Sequence, residues 1–279
     1  MTDATSLPNN FGSRMCRRVD EQTTHRAFFG LSALLFATSA ALTIAWCTSM
    51  SAMGGMPMAG GWTMSMAWMR MPGQTWLEAT ASFIGMWVVM MVAMMLPSLV
   101  PMLWRYRQTV ESTKKTHLGA LTALVGVGYF FVWTAFGIVI FPLGAGLATV
   151  EMQQPVLARA VPIAVGAVVL IAGILQFTAW KARHLASCRD AHGRTLTADV
   201  ATAWRHGLRL GLHCAKCCAN LMALLLVIGI MDIGTMAVVT IAITAERLAP
   251  ASERVARAIG AIVVGAGLFM IARAALKSF

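Results

Sequence analysis

Charge is what this sequence has least of. Asp, Glu, Lys and Arg together make up 12% of 279 residues, only 11 of them acidic, against 58% hydrophobic residues. Mean hydropathy is +0.71. A water-soluble core of this size has no room to hide that much apolar side chain, whereas a bilayer does. Familiar catalytic signatures are missing as well. There is no phosphate-binding glycine loop, no DKTG-like phosphorylation segment and no serine–histidine–aspartate set. His213 is the one histidine inside an apolar run, which leaves no histidine pair for a haem. These absences weigh against an enzyme. No internal repeat is visible, which weighs against an inverted-repeat transporter.

What is present is a series of runs long enough to cross hydrocarbon, which takes ~20 apolar residues. They fall near 28–47, 82–103, 118–141, 160–180, 210–229, 233–245 and 258–274. The sixth is short and reads as a partial or tilted span. Barrel-type alternation is absent, so helices must satisfy the backbone in lipid. The expectation is an all-α, polytopic transmembrane helical bundle of six to seven spans. Residues 1–27 read as a cytoplasmic N-terminal tail, and 28–279 as one transmembrane domain with a methionine-rich outer loop at 49–81. The longest polar stretch, 182–207, is too short for a soluble domain. The first run is too long for a signal-peptide core and lacks a small-residue cleavage site, so it reads as a retained anchor.

Cations cluster in alternate connections. Arg14, Arg17, Arg18 and Arg26 precede the first run. Arg105, Arg107, Lys114 and Lys115 follow the second. Lys181, Arg183, Arg189, Arg194 and Arg205 follow the fourth, and Arg247, Arg254 and Arg257 follow the sixth. The positive-inside rule then places the N-terminus in the cytoplasm of an inner-type membrane. Arg273 and Lys277 fit that alternation less well and favour six spans. Topology accounts for the net charge of +11, so the partner is the lipid bilayer and nucleic acid need not be invoked.

Residues 213–218 read His-Cys-Ala-Lys-Cys-Cys, with Met222 one turn beyond. On a helix Cys214, Cys217 and Cys218 share a broad face, His213 stacks over Cys217, and Met222 over Cys218. Soft sulfur ligands select Cu(I), zinc or iron–sulfur clusters over hard cations. One helix cannot wrap a tetrahedral ion, whereas two or three sulfurs on one face suit low-coordinate Cu(I). That ranks Cu(I) first and zinc below it. Lys216 inside the cluster is a charge in a membrane segment. It either snorkels toward the interface or pairs with a counter-ion, for which Glu246, near the same side of the sixth run, is the candidate.

A second sulfur group lies on the second run. Met90 with Met94, and Met91 with Met95, form four-residue pairs on adjacent stripes, followed by Pro97 and Pro101. Thioethers bind Cu(I) without a protonation step, although methionine also fills apolar gaps. Both sulfur groups fall slightly cytoplasmic of the expected midplane, where they can face one another. The prolines free carbonyls at that level.

Eight methionines occupy residues 50–71, among them Met53, Met56, Met58, Met64, Met66, Met69 and Met71, spaced by glycine, serine and tryptophan. Thioethers keep their metal affinity where an oxidising exterior would convert thiols to disulfides. Trp62 and Trp68 are expected to lay part of this loop on the membrane interface. On the inner side, His184, Cys188 and His192 recur at four-residue steps and would line one helical face as a minor zinc or copper site. Cys16 and Cys47 stand apart, and the outer loops hold no cysteine pair for a structural disulfide.

The segments WVVMMVAMMLPSLVPM (87–102), QFTAWKARHLASCR (176–189), GLHCAKCCANLM (211–222) and GIMDIGTM (229–236), with Glu246-Arg247, resemble the predicted metal-binding integral membrane proteins of domain of unknown function family 2182. The resemblance runs from the second span onward and implies metal binding. The family pattern usually has cysteine at position 184, glycine at 216 and an aromatic at 219. Here His184, Lys216 and Ala219 stand there, and Lys216 is the departure that bears on the membrane metal site.

The functional expectation is a membrane protein that binds Cu(I) and transports or delivers it. The order runs from the outer methionines through Met90, Met91, Met94 and Met95 to Cys214, Cys217 and Cys218, then His184 and Cys188. A metallochaperone or an oxidase under assembly would be its partner. The rival readings are a membrane thiol–disulfide oxidoreductase and a scaffold subunit.

Overall fold

The computed structural model describes residues 9–111, 117–190 and 199–278, with side chains at 23–110, 117–186 and 199–276. The elements are α1 Asn9–Ala52, β1 Met56–Met58, β2 Trp62–Met64, a 3₁₀ turn at Met66–Trp68, α2 Trp76–Glu111, α3 Leu118–Gln153, α4 Pro155–Leu175, α5 Ala179–Asp190, α6 Val200–Ile228, α7 Ile233–Leu248 and α8 Ser252–Ser278. Among the described residues, six helices are long and apolar enough to cross a membrane: α1, α2, α3, α4, α6 and α8. At ~1.5 Å per residue the 16 residues of α7 cover ~24 Å, short of a ~30 Å hydrocarbon core. The protein is therefore an all-α polytopic bundle with six long apolar helices and one partial helix. The six-helix count is the lower of the two expected.

Close approach of backbones sets the packing. On the facing helices α3 and α6, Gly128 lies against Gly207, and Gly211 against Tyr129 and Val132. A methyl group added at Gly207 would collide with the Val125 carbonyl. Small residues four apart allow such contact in lipid, where burial of apolar surface gives helices little reason to associate. The α4–α8 pair repeats the device with Gly166, Gly173, Gly260 and Gly267. Helix α1 lies along α2 and leaves Leu31, Leu34 and Leu42 facing outward. The interior is built chiefly from α2 and α6, including Met90, Met91, Met94, Met95 and Leu99 opposite Cys214, Cys217, Cys218, Leu221 and Leu225.

The outer methionine-rich segment is not a plain loop. Its strands pair antiparallel with Met56 opposite Met64 and Met58 opposite Trp62. The connection turns through Gly60 and Gly61, both at positive φ, as three-residue hairpins favour. Trp62 donates its indole N–H to the Ala158 carbonyl at 2.8 Å, and Trp68 packs onto Gly144. The two tryptophans thus dock the hairpin onto α4 and α3. Helix α2 then opens with a reciprocal cap: the Thr75 amide donates to Glu78 and the Glu78 amide to Thr75 Oγ1.

Several boundaries differ from the sequence expectation: α1 already begins at Asn9 and α3 runs on to Gln153. Helix α6 begins at Val200, ten residues before the apolar run does, and α5 is a separate helix after the α4 corner. Polar residues continue these helices beyond the hydrocarbon, where hydropathy alone does not report them.

Candidate metal centre

The cysteine helix and the methionine helix meet. Cys214 Sγ lies 3.7 Å from Cys218 Sγ and 3.9 Å from Met95 Sδ. Residues 214 and 218 are one turn apart on α6, so their thiols stack. Met95 reaches them from α2, and all three side chains are at most 2% exposed. With metal–sulfur bonds near ~2.3 Å, each of these two sulfur pairs is close enough to share an ion. Two thiols and a thioether form a soft donor set, which fits Cu(I).

Among the described residues, no three His, Cys, Asp or Glu side chains converge on one point. Cys217 is buried beside Cys218 but also approaches Glu246. His213 is half-buried, and Met222 is buried one turn further along the same helix. Met90, Met91 and Met94 are buried on α2 within the same core, and of the four helix methionines Met95 is the one placed against Cys214. At the outer end Met53 is exposed, Met56 and Met58 are half-buried, and Met64 is buried. On the inner side His184 packs edge-on against Trp180 at 4.5 Å. The side chain of Cys188, like all of His192, lies outside the described residues, as does the side chain of Cys16. Cys47 instead meets Met231, sulfur to sulfur at 4.0 Å.

The charges around the cluster correct the sequence reading. Lys216 is exposed, and Glu246 is not its counter-ion. Glu246 pairs with Lys181 at 2.7 Å, both side chains 1% exposed. Gln176 donates to the same carboxylate at 2.6 Å. Lys181 also donates to the Cys217 carbonyl at 2.6 Å and to Asn220 at 3.3 Å. The cation at the thiols is Arg247. Its Nη1 donates to Cys214 Sγ at 3.0 Å, Ser98 Oγ at 2.8 Å and the Tyr129 hydroxyl at 3.4 Å. Its Nη2 donates to Met102 Sδ at 3.0 Å. The Tyr129 hydroxyl donates to Cys214 Sγ at 2.9 Å. Lys181 and Arg247, counted from sequence as loop cations, are interior residues.

Sequence reasoning missed Ser98, Tyr129, Gln176, Lys181, Asn220 and Arg247 as site residues. One signal was available: Tyr129 and Asn220 are polar side chains inside apolar runs, and such residues face the bundle interior by default. Lys181 and Arg247 fall within the segments that carry the family resemblance, yet each sits where a run meets a loop and so reads as a loop cation.

No curated protein and no solved structure matches the chain. A family does match, over residues 84–270: PpoB2, described as a copper chaperone. The matched region holds α2 from its first turns, the cysteine helix and Arg247, and leaves out the outer methionine hairpin. The description names copper, whereas domain of unknown function family 2182, the expected resemblance, is not the name that matches. Over two thirds of its length, then, this chain is a member of the PpoB2 copper-chaperone family.

Proposed function

We propose that this protein is a multi-pass inner-membrane copper chaperone, N-terminus cytoplasmic, which collects Cu(I) at its outer methionine hairpin and holds it on Cys214, Cys218 and Met95. The observation that carries the reading is the contact of Met95 Sδ and Cys218 Sγ with Cys214 Sγ, made by two helices far apart in sequence. Met56 and Met58 lie two residues apart on β1, and Met64 pairs opposite Met56. These thioethers therefore share one face of the hairpin. Beneath it lies a cleft of about 770 Å³ lined by Met64, Trp68, Leu147, Leu226 and Met270. On α2, methionines 86, 90, 91, 94 and 95 are buried in the core. Thioether ligands give way to thiolates along this route, and thiolate holds Cu(I) more tightly than thioether does. The ion would thus be drawn from the outer face to the cysteine cluster. From there it would be handed to a metallochaperone or an assembling copper oxidase.

The test is an anaerobic Cu(I) titration of the detergent-purified protein against a competing chelator. The Cys214→Ser/Cys218→Ser variant and a variant with Met90, Met91, Met94 and Met95 all changed to Leu are measured alongside. The expected result is one tightly held ion per chain, lost in the serine variant and weakened in the leucine variant while both remain folded. Leu for Met is a near-isosteric change, typically below ~1.5 kcal/mol per site, so packing alone survives it. Absence of tight Cu(I) in the unmodified protein overturns the proposal.

A further inference from the structure

Arg247 stands at the sulfur cluster with a charge that the sequence assigned to a loop. It is 7% exposed, and its terminal nitrogens are held by Ser98 and Met102 of α2, Tyr129 of α3 and Cys214 of α6. A guanidinium does not lose its proton in proteins, so this is a fixed positive charge 3.0 Å from a ligand sulfur. We infer that Arg247 is the selectivity residue of the centre, tuning it for a monovalent soft cation and against a divalent one. The inference rests on the copper reading of the same site.

The physical reason is a charge count in a dry environment. A metal bound by Cys214 and Cys218 requires both as thiolates, and their two protons leave to solvent on binding. Two thiolates and a monovalent ion carry −1, which Arg247 brings to zero. With a divalent ion the same group carries +1. Lys181 and Glu246 form a neutral pair with each other and leave the count unchanged. A net charge away from water is strongly disfavoured, so the arginine lowers the affinity for divalent metal while raising it for monovalent metal. The donor set points the same way, since two thiols and a thioether leave a tetrahedral divalent ion short of ligands.

The experiment uses Ag(I) and Cd(II), soft ions of fixed valence, on the full-length protein in detergent at one pH. Their affinities are compared in the unmodified chain, Arg247→Gln and Arg247→Lys. Removing the charge makes the divalent complex neutral and the monovalent one −1. Arg247→Gln is therefore expected to weaken Ag(I) at least tenfold and to strengthen Cd(II). Arg247→Lys keeps the unmodified order. A structural role would lower both affinities together, and that outcome overturns the inference, as does no change in either. Equal affinity of the unmodified protein for the two ions overturns it without any variant, should Arg247→Gln not fold. Failure of the unmodified protein to bind Ag(I) at all removes the copper reading as well, which separates the two failures.

Discussion

Lys181→Met is the perturbation whose cost can be worked most directly from the geometry. The Lys181–Glu246 contact is 2.7 Å between groups that are each 1% exposed. At an effective dielectric of ~20, opposite charges at that distance attract by roughly 6 kcal/mol, and desolvation of both groups offsets much of it. Deleting the lysine leaves a buried carboxylate with the Gln176 amide as its remaining hydrogen-bond donor among the described residues. It also strips one donor from the Cys217 carbonyl and one from Asn220. Breaking one side of a buried pair in this way costs ~3–5 kcal/mol. The double variant Lys181→Met/Glu246→Leu removes both charges and is expected within ~2 kcal/mol of the unmodified protein. The assay is reversible unfolding in mixed detergent–SDS micelles, run as a double-mutant cycle with Glu246→Leu as the fourth corner. A single-variant loss under ~1 kcal/mol, or a double variant as unstable as the sum of the singles, refutes the reasoning. The same series separates structure from chemistry. If the pair only braces α5, α6 and α7 around the cysteines, the folded double variant keeps its Cu(I) affinity.

Two further outcomes follow from single contacts. Gly207→Ala places a methyl group against the Val125 carbonyl and the Gly128 backbone, so α3 and α6 must part; a loss of ~1–3 kcal/mol is expected in the same unfolding assay. Asp232 caps α7 by accepting the Thr235 amide, and hydrogen bonds from the Thr235 side chain and then its amide hold the carboxyl below the ordinary carboxylate value. A depressed folded value means that its stabilisation is complete above the unfolded value of ~3.9 and fades as pH falls through the lower folded one. Asp232→Ala is expected to cost ~0.5–2 kcal/mol at neutral pH, whereas Asp232→Asn retains most of the cap and loses the acid dependence, read from unfolding curves between neutral and acidic pH.

The sequence by itself determined the class and the ingredients. Long apolar runs with few charges permit nothing but helices in lipid, and the sulfur-rich stretches at 90–95 and 214–218 raise the expectation of a soft-metal chemistry through their donor atoms alone. Helical spacing even stacked Cys214 on Cys218. What it left open was which sulfurs share one point and which charges stand beside them. In a soluble protein the apolar stripe of a helix shows which way it faces. In a bilayer the outward face is as apolar as the interior, so the rotation of α2 about its axis leaves little trace in hydropathy. That rotation decides that Met95 meets Cys214. The depth of Lys181 and Arg247 was hidden for a related reason. A cation at the end of an apolar run reads as a loop residue, and only the packing of α5 and α7 against α6 turned both inward. There one completes a buried ion pair and the other touches the sulfur of Cys214.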